Sequence, residues 1–195
     1  MTVGRHATAF RNSCIAALIL TSMWTSRGWA QDDHVHMTTA ASSAQANALI
    51  SVVRQATERF KNVAVAESEG YALQFGCVSG DSSGAMGLHF VNGEIVGSGV
   101  LDPARPQIVI YEPAADGSLK LIGADFLVFA DKWNKKHTGP PELMGQLFHL
   151  FPAPNRFGLP SFYTLHVWAW KDNPNGAFVN WHPDVSCQNF NDVNP

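Results

Sequence analysis

Four side chains capable of acid–base or metal chemistry sit inside stretches that otherwise read as apolar strands. They are His89 in "AMGLHFVN", Glu112 in "PQIVIYEP", Asp125 in "SLKLIGADFLVFA" and His166 in "SFYTLHVWAW". An imidazole changes charge near neutral pH and is a ready ligand for zinc or copper, so each histidine suits proton transfer or coordination. Strict alternation puts Asp125 on the face of Leu121, Leu127 and Phe129, where an acid is costly unless it meets a histidine, an arginine such as Arg105 or Arg156, or a metal. Two constellations follow. His89, His166 and Asp125 are the candidate catalytic set for general acid–base work on a small molecule. His89, His166 and Glu112 are the candidate ligands for a divalent metal cofactor, zinc or copper.

Other polar motifs carry less. His149 and His182 are further possible donors, and His34 and His36 in "DDHVH" could catch a metal near the N-terminus, but no HExxH motif is present. "SGDSSGAMG" has the serines and glycines of a loop without a GxSxG elbow, and "VNGEIVGSG" lacks a phosphate-binding lysine, so it reads as a turn.

These residues need a scaffold. Ala46, Leu49, Val52, Val53, Ala56, Phe60 and Val63 recur three and four apart from Ser43 onward, the pattern of an amphipathic helix with Ser42 or Ser43 as N-cap. "VAVAESEG" continues it for a turn or two and ends at Gly70. Beyond Gly70, runs rich in branched and aromatic residues alternate with Gly, Pro, Asn and Asp clusters, and Asp116 and Gly117 mark a hairpin turn. Helix first and strands after predicts an α+β fold, an N-terminal amphipathic helix packed on a curved antiparallel sheet. In "SFYTLHVWAW", Tyr163, Leu165, Val167 and Ala169 fall on one face and Thr164, His166, Trp168 and Trp170 on the other. The second set suggests a ligand wall in which Trp168 and Trp170 flank His166.

Composition sets the compartment. Arg5 and Arg11, the apolar run Cys14 to Leu20 and the small residue ending "SRGWA" form the pattern of a secretory signal over residues 1–30. Its apolar run is shorter than a membrane-spanning helix needs, so no membrane insertion is expected after cleavage. Removing Arg5, Arg11 and Arg27 with no acid shifts the formal charge of −3 by three, to a mildly acidic chain without a basic nucleic-acid-binding stripe. Residues 31–42 read as a flexible polar segment and residues 43–195 as one domain. Two cysteines remain, Cys77 and Cys187. In an oxidising compartment, periplasmic or secreted, an even pair without CxxC spacing suggests a disulfide.

"ATERFKNVAVAESEGY", "GAMGLHFVN", "LDPARPQIVIYEP", "LMGQLFHL" and "LHVWAWKDNPNGAFVNWHPDVSC" together resemble an uncharacterised family of bacterial exported proteins, over about Ala56 to Cys187. The resemblance implies export and a single domain, and supplies no activity or substrate. The family pattern has histidines at the positions of His89 and His166. It often has Glu-Tyr where this chain has Asp125 and Phe126, which keeps an acid there, and Asn-Pro where this chain has His182 and Pro183, which weakens His182 as a ligand.

Two functions are therefore expected: an exported domain that binds a small ligand or a metal ion, or a small lyase or isomerase in which His89 or His166 moves a proton and Asp125 orients it. An α+β roll with a pocket behind its helix would favour the enzyme. Either function requires His89, His166 and Asp125 to meet in one cavity deep enough for a ligand.

Overall fold

The computed structural model describes residues 32–190, with side chains from residue 41 onward; the signal segment expected over residues 1–30 lies outside the described residues. Helix α1 spans Asp32–Thr57, so the helix begins well before Ser43 and takes in most of the segment expected to be loose. His34 and His36 fall within it, but their side chains lie outside the described ones. A 3-10 helix, Glu58–Lys61, leads to α2 (Val63–Ser68), whose N-cap Asn62 accepts a hydrogen bond from the Ala64 amide at 3.2 Å. The chain then turns at Gly70, which has φ +88°.

The strands follow as β1 (Tyr71–Ser79), β2 (Ala85–Asn92), β3 (Ile108–Pro113), β4 (Leu119–Phe129), β5 (Glu142–Leu143), β6 (Gln146–Leu147), β7 (His149–Phe151) and β8 (Phe162–Val167), with short helices α3 (Gly93–Ser98) and α4 (Ala130–Asn134) between them. Six strands form one antiparallel sheet in the order β1-β2-β3-β4-β8-β7, and β5 and β6 form a separate ribbon. The fold is α+β. The expected turn at Asp116 and Gly117 joins β3 to β4. Two readings need correction. "YALQFGCVS" forms β1, which sequence patterning did not single out, and "VNGEIVGSG" is not a simple turn: Asn92 caps α3 by accepting the Ile95 amide at 3.1 Å.

Both faces of the sheet are covered. On one, Leu49 and Val53 of α1 pack on Ala124, Phe126, Leu165 and Val167, while Phe60 and Ala66 cover Leu88, Phe90, Val109 and Tyr111. The Tyr111 hydroxyl donates to the Phe60 carbonyl at 2.7 Å, tying the helical turn to the sheet. On the other face, Ile108, Ile110, Ile122, Leu127, Phe162 and Trp168 lie beneath Val96 of α3, Phe157 and Leu159 of the β7–β8 loop, and Val185 of the C-terminal segment.

Irregularities in the strands change which side chains share a face. Ile110 pairs with Gly123 but Tyr111 pairs with Leu121, so β4 carries an extra residue at Ile122. Leu121 therefore packs with Phe60 on the helix side, not beside Asp125 as strict alternation implied. A second irregularity follows β8. Val167 pairs with Ala124, the Ala169 amide donates back to the Val167 carbonyl at 2.8 Å, and the Trp170 amide reaches the Ile122 carbonyl at 3.1 Å. Three residues thus advance the chain past two. Gly123 permits this crossing, because a Cβ there would lie 2.7 Å from the Val167 carbonyl oxygen.

Cys77 of β1 and Cys187 lie at disulfide-bonding distance, with Cα atoms 5.7 Å apart and a sequence separation of 110. A crosslink over such a loop stabilises mainly by restricting the unfolded chain, by about 4–5 kcal/mol in the chain-entropy model. Replacing both cysteines by serine is expected to lower the melting temperature by roughly 10 °C or more, measured by circular dichroism. An unchanged melting temperature would show that the pair contributes nothing to stability.

Candidate functional site

The register sets the site. Val91, Ile108, Asp125 and His166 form one row across β2, β3, β4 and β8, and Gln74, His89, Ile110 and Gly123 form the next. Residues directly paired across antiparallel strands present their side chains to the same face. Both histidines and Asp125 therefore rise from the face opposite α1, so the pocket is not behind that helix. It lies beneath α3 and the β7–β8 loop.

Two strands separate the one carrying His89 from the one carrying His166, which on a flat sheet would put their backbones about 14 Å apart. Yet the His89 Nε2 and His166 Nε2 atoms are 3.4 Å apart, and the rings meet at an interplanar angle of 77°. The sheet must curl toward this face to bring them together. His166 Nδ1 lies 3.7 Å from Asp125 Oδ1, and the Thr164 hydroxyl donates a short hydrogen bond to that same oxygen. One donor atom from each of His89, Asp125 and His166 lies within 4.8 Å of the others, and all three residues are buried.

Hydrogen bonding fixes part of the protonation pattern. His89 Nδ1 is 3.2 Å from the Gly87 carbonyl, which can only accept, so Nδ1 holds the proton and Nε2 presents a lone pair. Gly87 has φ +87°, and a Cβ there would lie 2.6 Å from the Tyr111 carbonyl oxygen, so glycine is required where the backbone anchors His89. His166 Nδ1 is buried without a hydrogen bond, as is the Asn180 Oδ1 atom of the C-terminal segment. An uncompensated polar atom at such depth is rare enough to suggest a role for it.

Burial governs the charges. It lowers His89 to a pKa of about 4, reinforced by His166, and lowers His166 to about 3, reinforced by His149. It raises Asp125 to about 6, against the opposing effect of the Thr164 hydrogen bond. All three groups are thus pushed toward their neutral forms.

The trio forms the polar floor of a cavity of about 360 Å³. Its walls are apolar, with Phe75, Phe129, Phe151, Phe157 and Phe162 supplying much of the surface, and no lysine or arginine lines it.

The remaining candidates lie elsewhere. Glu112 binds Lys171 at 2.7 Å and accepts the Ser186 amide at 3.2 Å, so it fastens the C-terminal segment and does not join the two histidines. Trp168 and Trp170 do not line the cavity. Trp168 is buried behind His166, its ring centroid 5.9 Å from the imidazole, and Trp170 crosses to the helix side, where its Nε1 donates to Thr57 Oγ1 at 2.9 Å. His182 is buried against Trp168 and bonded to the Asp172 carbonyl at 3.1 Å, and His149 is exposed on β7. Sequence reading put Thr164 on the face of His166 without giving it a role beside Asp125, and it missed Asn180.

No family model, curated protein or solved structure matches this chain. Among the described residues, no helix is long and apolar enough to cross a membrane.

In metal-free protein the site should make stability fall on acidification. Unfolded histidines take protons near pH 6.5, whereas buried His89 and His166 do not until about pH 4 and 3, so their stabilisation is present above pH 6.5 and is lost below it. Asp125, raised to about 6, binds a proton in the folded state first and offsets part of this loss. Two histidines outweigh one acid, giving a net loss of roughly one kcal/mol per pH unit between pH 6 and 4. Urea melts in the presence of chelator check this, and the slope contributed by the site should change sign when both histidines are replaced by glutamine, because Asp125 alone then remains.

Proposed function

We propose that this protein is an exported ligand-binding domain that holds a divalent metal ion, zinc before copper, with His89, His166 and Asp125 at the floor of an apolar cavity. The 3.4 Å separation of the two Nε2 atoms carries this reading. Zinc–nitrogen bonds of about 2.0–2.1 Å in tetrahedral geometry place neighbouring ligand atoms about 3.3 Å apart. With the His89 lone pair directed at His166, either a proton or a cation must lie between the rings, and a metal would satisfy both nitrogens at once. His166 Nδ1 would then carry its proton toward Asn180, the outer partner that a metal-bound imidazole usually has. Three protein donors would leave a position open to the cavity, where bound metal can polarise an oxygen of a ligand. The secretory pattern, the Cys77–Cys187 pair and the resemblance to exported bacterial proteins support a periplasmic or secreted setting.

A lyase or isomerase activity is the second reading. It is favoured by the sequence Asp125, His166, His89, which could pass a proton from a buried acid to the cavity floor.

Titration of chelator-treated protein with zinc, followed by calorimetry, tests the metal. One ion per chain is expected, with His89→Gln and His166→Gln each weakening binding by at least 100-fold and Asp125→Asn by a factor of about 10 to 100. Glu112→Gln should leave zinc affinity unchanged. Zinc binding that survives loss of both histidines, with folding verified by thermal melts, would overturn the assignment.

A further inference from the structure

We infer that the natural ligand of the cavity is a small, neutral aromatic molecule bearing one hydroxyl group, held ring-first against phenylalanines with its hydroxyl on the His89–His166 floor. This rests on reading the cavity as the binding site, and it adds the chemical class of what enters it.

Size comes first. A cavity of 150 Å³ lined by apolar side chains accommodates benzene, so a cavity of about 360 Å³ suits a molecule of roughly two fused rings, or one ring with a short chain. Shape and surface point to aromatic character. Phe151 and Phe162 stack at 5.2 Å with an interplanar angle of 5°, while Phe157 tilts 59° against Phe162, so the walls offer both ring faces and ring edges. Aromatic ligands gain from such offset and edge-to-face contacts beyond simple area burial.

Charge narrows the choice. In metal-free protein no lysine or arginine lines the cavity and Asp125 sits in its floor, so an obligate anion such as a carboxylate would enter without a cationic partner. A ligand ammonium would find a single carboxyl, that of Asp125, whose Oδ1 already accepts from Thr164, and would be repelled by a metal held beside it. A hydroxyl fits better. It can donate to the Asp125 carboxyl, which also lines the floor, when no metal is bound, or offer its oxygen to a metal held there. Polar contacts are otherwise sparse, Gln74 at the rim being the main exception, so one hydrogen-bonding group is the number the lining can satisfy.

Access is consistent with a small guest. Phe75 is 51% exposed at the rim, with φ 65°, and its ring lies 5.4 Å from Phe157. These two rings border the mouth from β1 and the β7–β8 loop.

The test compares 2-naphthol, naphthalene and 2-naphthoate by quenching of tryptophan fluorescence, in zinc-loaded and in chelator-treated protein, with zinc content measured on the same samples. Saturable binding of 2-naphthol is expected, with naphthalene at least tenfold weaker, because a hydrogen bond to the floor is lost, and in chelator-treated protein 2-naphthoate weaker still. Val96→Trp and Leu159→Trp, which fill the cavity from two different covering segments, should each abolish 2-naphthol binding while leaving zinc binding intact. Equal affinity for naphthalene and 2-naphthol, preference for 2-naphthoate in chelator-treated protein, or retention of binding in both tryptophan variants would each overturn the inference. Zinc uptake without binding of any of the three compounds would overturn it and leave the metal assignment standing. Binding of 2-naphthol by protein that takes up no zinc would support it and remove the metal.

Discussion

The curl of the central sheet is the constraint on which the rest of the molecule depends. His89 and His166 are carried by strands with two others between them, and only a sheet bent toward its histidine face lets their Nε2 atoms come within 3.4 Å. Bulges supply local bending and twist. Here the extra residue at Ile122 and the three-for-two step after Val167 meet at one crossing, and the space for that crossing is the missing side chain of Gly123. The same irregularities send Leu121 and Trp170 to the helix side, where they complete the opposite core. One distortion therefore builds the floor of the cavity and fills the layer behind it.

A curled sheet also needs a cover over its concave side, and this explains the long irregular C-terminus. Glu112 holds Lys171 and the Ser186 amide, Ala85 exchanges backbone hydrogen bonds with His182, and Cys187 reaches Cys77. Each attachment ties a different point of the C-terminal segment to β1, β2 or β3. Trp168, packed between His166 and His182, fills the space underneath, with its Nε1 donating to the Val179 carbonyl at 2.6 Å. The tryptophans of "LHVWAW" thus support a histidine from behind and brace the helix layer, which is why neither is at the cavity surface.

The legibility of this molecule in its sequence follows the range of the interactions involved. Period-2 and period-3.6 patterns depend on neighbours in the chain, so α1, most of the large strands and the turn at Gly117 were readable, whereas the shared face of Asp125 and His166 depends on the register of β4 with β8. Where the period breaks, the reading failed. Alternation carried through Ile122 and Trp168 put Leu121 beside Asp125 and Trp170 beside His166, because a bulge depends on a carbonyl from another strand approaching a glycine, a contact that no local pattern encodes. β1 escaped notice because its middle, with Phe75 and Gly76 at positive φ, interrupts alternation. Glu112 resembled a metal ligand because its partner Lys171 is 59 residues away in sequence.

The electrostatics of the floor link its depth to its chemistry. Removing the three groups from water favours neutral imidazoles and a protonated carboxyl, so without a compensating cation the trio costs least when it carries no net charge. Neutral imidazole is also the form that coordinates a metal. Burial therefore keeps His89 and His166 ready for a cation at a pH where exposed histidines would be partly protonated, while it holds Asp125 close to its ionisation point. A dication beside Asp125 would favour the carboxylate strongly, since the attraction of opposite charges is less screened in an apolar pocket than in water. A His166 holding the cation through Nε2 and a proton on Nδ1 would have no site for the proton released from Asp125, which would pass to an oxygen arriving from the cavity. Thr164, which donates to Oδ1, holds that oxygen as an acceptor. The binding and proton-transfer readings thus share one floor, and what separates them is whether the incoming molecule has a bond that the displaced proton can help to break.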